Sequence, residues 1–362
     1  MSFPPKFKAV IRKNRSARKL INATRLITRS FNQIRVSSGL KLIRMMNVNI
    51  SLTYDSTRKP DGVGAQLQRI LAISGLCRVA NLGYSHSGVL DVAVHALDPY
   101  RTKAEYQEFI AQLNSVFSLE GAEIPGARTE VPIDRFSFGT LLYYSFLSIL
   151  TGNHYLLRVS EPYSVTDLVA STYSSIHPLR GNLKKFIGKF ESVTPFIAIH
   201  YRWGVGGKQI QKGESTTREL DISYYLEVIE TIRSFNPEAE YKLLVITDAP
   251  EKSLVFKPPI EQKSLWIDSP GFDKDRNTIA VSGINIRENF SNLGMEVEVL
   301  SGGSPLDAIG MLANSHHLIM SRSSLSFVAG LLSKSEVYFP ASFWHKPLSN
   351  WHVIDDYKAI QQ

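Results

Sequence analysis

The chain has 362 residues, 43% of them hydrophobic, with 41 Lys and Arg against 33 Asp and Glu, a formal net charge of +8 and one cysteine. That length and apolar content can bury a sizeable core, favour two domains over one and exclude a disordered chain. Cys77 by itself excludes an intrachain disulfide and a multi-cysteine zinc site, and the composition fits a reducing cytoplasm.

The positive charge is concentrated at the amino end. No acidic residue precedes Asp55, while about a dozen Lys and Arg do; beyond it acids and bases nearly balance. Residues 1–46 read as a basic tail. In it Leu20, Ile27, Phe31 and Ile34 share one side of a helical wheel, and Arg18, Arg25 and Arg29 the other. An anionic membrane surface is the first reading, with peripheral attachment. An organelle-targeting transit peptide, an RNA-binding arm and a plain solubilising extension stand behind it. Nucleic acid is the less favoured partner, because the basicity belongs to the tail alone. No run reaches the roughly 18 apolar residues of a membrane-spanning helix.

Asn47–Tyr54 alternates like a strand and leads through a polar turn to Asp61-Gly62-Val63-Gly64-Ala65-Gln66-Leu67, after which Leu67, Ile70 and Leu71 are spaced as a buried helical stripe. Strand, glycine turn and helix allow a backbone to approach phosphates closely; a tight turn accounts for the same glycines. Helices are expected over Lys103–Phe117, Phe138–Leu150 and Asn182–Phe190, and a strand over Tyr155–Val159. Phe138–Leu150 is apolar but too short to span a bilayer, which predicts a helix buried between sheet layers. His86, His95 and His154 lack ligand-like spacing, so structural roles are expected for them.

A domain boundary is placed near Glu191–Pro195, dividing 47–192 from 193–362. The second half alternates strongly. Phe196–His200 is a short apolar run of the kind that forms core strands of parallel sheets. A helix follows from Ile222, capped by Asp221, with Tyr225, Leu226, Ile229 and Ile232 on its apolar face. Lys242–Thr247, Leu265–Ile267, Glu296–Leu300, His317–Met320 and Glu336–Phe339 read as further strands, with helices after Pro305 and from Phe327. At least five such units imply a doubly wound parallel sheet.

His200 and Arg202 are two apart at the end of a strand, so they point to one face, where ligands of open α/β sheets bind. Ser321-Arg322-Ser323-Ser324-Leu325-Ser326 joins a strand to a helix, an arrangement that aims backbone N–H groups at an anion. Ordinary capping by these serines is the competing reading. Arg202 supplies a planar, permanently charged fork for the same ligand.

With His200-x-Arg202, Gly62-x-Gly64-x-Gln66-Leu67 and Asp307 through Ser324 in hand, the chain resembles the GDP-fucose-dependent fucosyltransferases of the α1,2, α1,6 and protein-O branches. The resemblance spans about Asp61–Phe339 and rests on these three short motifs. It implies a GT-B fold, in which two Rossmann-like domains face each other across a cleft. It also implies metal-independent transfer with inversion from the donor substrate GDP-fucose to a glycan or glycoconjugate hydroxyl, without a cofactor. The family motif His-x-Arg-Arg-Gly-Asp corresponds to His200-Tyr201-Arg202-Trp203-Gly204-Val205, which lacks the second arginine and the aspartate. By the resemblance His200 and Arg202 lie on the donor diphosphate with Gly62, Gly64, Ser323 and Ser324. Asp307 corresponds to the acid that pairs with the guanine edge, although Ser304-Pro305-Leu306-Asp307 is also a capping-box pattern.

The missing aspartate leaves the base open among Asp248, Glu214 and Glu219; inversion needs such a group to take the acceptor's proton. Two alternatives stand beside this reading. One is a metal-dependent glycosyltransferase using Asp273-Lys274-Asp275 as a ligand pair. The other is a nucleotide-sugar- or nucleic-acid-binding protein without turnover.

Overall fold

The computed structural model describes residues 38–46, 48–57, 61–92, 102–119, 128–163, 181–202, 208–211, 214–217, 220–248, 252–256, 272–273, 278–281 and 285–356. The amphipathic part of the tail, the strand expected at Leu265–Ile267, and Gly204, Val205, Glu219 and Asp275 lie outside them.

The first α/β unit runs β1 (Ile50–Tyr54), α1 (Val63–Ala80), β2 (Gly83–Tyr84), α2 (Lys103–Val116), β3 (Arg128–Arg135), α3 (Phe138–Thr151) and β4 (His154–Glu161). Its four strands are parallel in the order β2-β1-β4-β3. Leu52 lies beside Leu157 and Tyr54 beside Val159, so their alternating apolar side chains fall on one buried face. Thr102 and Glu105 form a reciprocal capping box at the start of α2. Asn81, at φ 55°, ends α1 in the left-handed region that asparagine tolerates.

The second unit follows α4 (Gly181–Gly188), which packs on α2 and on a helix of the second unit. It contains β5 (Phe196–Tyr201), the antiparallel hairpin β6 (Lys208–Gln211) and β7 (Glu214–Thr217), α5 (Ile222–Phe235) and β8 (Lys242–Thr247). A small antiparallel sheet of β9 (Leu254–Phe256), β10 (Phe272–Asp273) and β11 (Thr278–Val281) precedes α6 (Ile286–Phe290). The unit closes with β12 (Val297–Ser301), α7 (Pro305–Ala313), β13 (His317–Ile319), α8 (Ser324–Leu332), β14 (Glu336–Pro340) and β15 (His352–Ile354).

Six of these strands form one parallel sheet in the order β12-β8-β5-β13-β14-β15. Numbered within the unit, that is the 3-2-1-4-5-6 order of Rossmann folds. Both faces of β5 are buried, as a central parallel strand requires. Ile197, Ile199 and Tyr201 pack with Tyr225, Ile229 and Ile232 of α5. Phe196 and Ala198 face the opposite core, shared with Leu306 and Ile309 of α7 and Phe327 and Val328 of α8. The doubly wound reading of this half holds.

That second core is continuous with the core of the first unit, and α1 packs directly on α8. This explains why α1 departs from the single stripe expected of it. Besides Leu67, Ile70 and Leu71, its polar Gln66, Gln68, Arg69 and Ser74 are also buried, because one side covers its own sheet and another meets α8. The arrangement is GT-B-like: two Rossmann-like units facing each other. The helix predicted over Phe138–Leu150 forms as α3 but is not buried between layers; Tyr143, Phe146, Ile149 and Leu150 face solvent.

Candidate functional site

In the 3-2-1-4-5-6 sheet, β5 and β13 are neighbours whose connections leave in opposite directions, so a crevice opens beyond their carboxyl ends. The sequence motifs fall there. His200 ends the inward-facing row begun by Phe196 and Ala198, and Arg202 follows immediately after β5. The turn Ser321–Ser323 leaves β13 and starts α8.

The two strand ends are tied together. His200 Nδ1 and Ser321 Oγ share a 2.9 Å hydrogen bond between fully buried groups. Burial, and secondarily the positive charge of Arg202, push the imidazole pKa down to about 3. The ring is therefore neutral at neutral pH, and it serves as a tether that leaves the cationic role to Arg202. The Arg202 guanidinium, 9% exposed, pairs through Nη1 with Oδ2 of Asp248 at 2.9 Å. Asp248 follows β8 just as Arg202 follows β5, and the register Tyr201 opposite Thr247 sets them side by side. Arg202 Nε is buried without a hydrogen-bond partner among the described residues. A buried N–H of a permanent cation left unsatisfied is costly unless an anion completes it.

The start of α8 is built from serines. Ser323 Oγ accepts from Leu325 N at 3.3 Å as the helix cap, and Ser326 Oγ donates to the carbonyls of Ser321 and Ser323. The capping reading is thus realised for Ser323, whereas Ser326 ties the first turn back to the preceding loop and Ser324 sits half-exposed in the first turn. Arg322 points elsewhere, into an ion pair with the buried Asp356 at 3.0 Å.

From the first unit, Gly64 meets this same turn. A Cβ added to Gly64 would lie 2.3 Å from Leu325 N and 2.7 Å from the Ser324 carbonyl carbon, so the starts of α1 and α8 touch. The glycine is required here by helix contact. Gly62 precedes α1 at φ −60°, ψ 154°, a conformation open to any residue. Behind the turn, Arg69 is buried. It bonds Asp61 Oδ2 at 2.6 Å and the Tyr163 hydroxyl at 2.9 Å, with the Tyr163 ring 5.4 Å away. Gln66, also buried, donates to the carbonyls of Asp61 and Asp91 and accepts from the Tyr54 hydroxyl. Arg69 had no signal in the sequence beyond its helical spacing, and Gln66 was visible only as part of the glycine motif.

Asp307 occupies the first turn of α7, capped by Ser304 with Pro305 at the first helical position. Partial burial raises its carboxyl pKa, against the opposing charge of Lys189. Since α7 follows β12, its start lies on the same edge of the sheet as Arg202. Glu214 lies in β7 opposite Gln211, and Asp273 in β10 opposite Thr278. The structure therefore brings together His200, Arg202, Asp248, Ser321, Ser323, Ser324 and Gly64. A cavity of about 300 Å³ lined by Phe190, Phe196, Lys242, Leu244, Glu296 and Met311 lies at the opposite, amino-terminal edge of the sheet, away from this cluster.

No protein-family model and no curated protein matches the chain in sequence. Among solved structures, the E. coli heptosyltransferase WaaC with ADP-2-deoxy-2-fluoro heptose is similar at a TM-score of 0.35 and 11% identity, over 84% of this chain and 92% of that one. POFUT1 in complex with GDP gives 0.36 and 12%, over 80% and 97%. A likeness at this level transfers no activity, substrate or residue role to the chain.

Proposed function

We propose that the chain is an inverting, metal-independent glycosyltransferase that moves fucose from GDP-fucose to a glycan or glycoconjugate hydroxyl. One observation carries the reading: Arg202, with a buried N–H lacking a partner among the described residues, stands beside the start of α8 at the switch point of a Rossmann-order sheet, where α1 of the other unit closes in. This is a place for a diphosphate between two units. The choice of GDP and of fucose rests on the motif resemblance, with Asp307 as the guanine-reading acid.

In the proposed reaction the acceptor oxygen bonds the anomeric carbon while the bond to the diphosphate oxygen breaks. The acceptor proton passes to a carboxylate, for which Asp248 and Glu214 are the candidates. Negative charge collecting on the leaving diphosphate is met by Arg202 and by the start of α8, where the first-turn N–H of Ser324 and the Ser323 hydroxyl lie; such donors are typically worth about 100- to 1,000-fold each in rate. The basic tail, residues 1–46, would hold the enzyme at an anionic membrane on the cytoplasmic side, where a membrane-borne acceptor can be met.

A thermal-shift panel of nucleotide sugars tests the donor. A ligand at a hundredfold excess over its Kd stabilises the native state by roughly 2.7 kcal/mol. GDP and GDP-fucose are expected to raise the melting temperature while ADP- and UDP-sugars do not, and GDP-fucose is expected to release GDP when an acceptor is supplied. Binding without release would favour a non-catalytic binder, and loss of turnover in EDTA would favour Asp273 and Asp275 as metal ligands.

A further inference from the structure

α3 is apolar on its outer side as well as its inner one, where Leu141 is buried and Leu142, Tyr144 and Leu147 pack against the core. Its buried positions include Ser145 and Ser148, whose hydroxyls bond carbonyls of the helix itself, at Leu141 and Ser145. Its outward positions are Tyr143 (61% exposed), Phe146 (52%), Ile149 (50%) and Leu150 (83%). No Asp, Glu, Lys or Arg occurs in its 14 residues. Gly139, Tyr143, Phe146 and Leu150 follow i, i+4, i+7, i+11, so they form one continuous stripe. Water is a poor neighbour for such a stripe, and exposed apolar patches of this kind mark docking surfaces.

The helical turn 38–45 stands at the start of α3: a Cβ on Gly39 would overlap the Phe138 ring at 2.0 Å. Leu40 and Ile43 anchor this turn in the core, while Lys41, Leu42, Arg44 and Met45 face outward, with Leu42 49% and Met45 82% exposed. Apolar and basic side chains thus alternate on one outer surface, downstream of a segment in which no acid precedes Asp55.

We propose that α3 and the 38–45 turn form a seat for an anionic bilayer surface. Tyr143, Phe146, Ile149 and Leu150 enter the boundary between headgroups and acyl chains, and Lys41 and Arg44 meet the lipid phosphates. Tyrosine and phenylalanine suit that boundary, having large apolar rings that the headgroup region accepts. Charge complementarity selects lipid over a second copy of the chain: two copies would set basic against basic. The four exposed side chains also offer only on the order of 500 Å², against roughly 800 Å² per partner in a stable protein pair. The seat adds the apolar face of α3 to the described turn 38–45 of the basic segment, and it is independent of the transfer reaction.

The test is flotation of the full chain with vesicles of phosphatidylcholine, with and without phosphatidylserine, at low and high salt. The wild type is expected to bind the phosphatidylserine vesicles and to keep part of that binding at high salt, because apolar insertion is not screened. Phe146→Ser with Leu150→Ser should weaken binding by at least about tenfold and remove the salt-resistant part. Lys41→Glu with Arg44→Glu should reduce the preference for phosphatidylserine, each lost base counting for several-fold in binding. All four positions are exposed, so unchanged circular dichroism and melting are expected and confirm that the fold is intact. The seat is overturned if the serine variant binds as the wild type does, with the tail alone responsible, or if the wild type does not float. A dimer in sedimentation that the serine variant dissolves would equally overturn it in favour of a second copy.

Discussion

Arg202 and Asp248 close a 2.9 Å ion pair between the ends of neighbouring strands β5 and β8. The carboxylate holds one side of the guanidinium fork and so aims the other at the crevice. Lysine at 202 would keep the charge and lose the fork. Arg202→Lys is expected to fold normally and to lose about 100- to 1,000-fold in turnover of GDP-fucose; near-normal steady-state kinetics would remove Arg202 from the site. Asp248→Asn should instead cost about 2–3 kcal/mol of stability. Breaking a buried pair typically costs about 3–5 kcal/mol, and here Asp248 is 19% exposed and partly screened by water. A bound diphosphate would restore the missing negative charge, so GDP should raise the melting temperature more in this variant than in the wild type. An equal or smaller shift would mean that Arg202 and the ligand do not meet.

Gly64→Ala tests the junction of the two units. The added methyl would sit 2.3 Å from a backbone nitrogen and 2.5 Å from a backbone Cα of Leu325, neither of which can move without shifting α8. Overpacking of this kind costs about 1–3 kcal/mol. The variant should melt lower and bind donor more weakly, whereas Gly62→Ala, at an ordinary backbone conformation, should leave stability nearly unchanged. Equal tolerance of both alanines in urea unfolding would contradict the contact.

Much of this was legible in the sequence where burial on both faces leaves a mark. Phe196–His200 and Lys242–Thr247 read as strands because central parallel strands are continuous apolar runs, and the caps Asp221, Ser304 and Ser323 announced their helices. What pairs with what was not legible. Arg202 meets Asp248 only through the register of β5 with β8, and Gly64 meets Leu325 only through packing between units. In α3 the composition suggested burial on all sides, but only one side reaches the core, with Leu141, Leu142, Tyr144 and Leu147, and Ser145 and Ser148 are buried there because each bonds its own helix. The hairpin of β6 and β7 was hidden because its residues Lys208–Gln211 and Glu214–Thr217 carry no apolar alternation.

Asp307 and Ser304 separate recognition from capping. Ser304 makes the cap bond to Leu306 N, so Ser304→Ala should cost about 1 kcal/mol and leave nucleotide choice unchanged. Asp307 has no part in that bond. Asp307→Asn should barely alter melting, yet weaken GDP far more than ADP if the carboxylate reads the guanine edge. Calorimetric titration of both nucleotides into both variants checks this, and a uniform loss for GDP and ADP would reduce Asp307 to a helix-start charge.

His200 makes a prediction about pH. Its folded pKa of about 3 lies below the ordinary histidine value of about 6.5 expected when the chain is unfolded, so between those values the unfolded state binds a proton that the folded state refuses. Stability from this group is complete above about pH 6.5 and falls as pH drops, by up to about 1.4 kcal/mol per unit until about pH 3. Moving from pH 7 to pH 5 should therefore cost the wild type about 2 kcal/mol through His200 alone. His200→Asn keeps a polar group beside Ser321 but cannot be protonated. Urea unfolding at the two pH values should show a pH-dependent loss smaller by about that amount in the variant, even if its stability at pH 7 is lower. Parallel losses in both proteins would mean that the imidazole is not held neutral against Arg202.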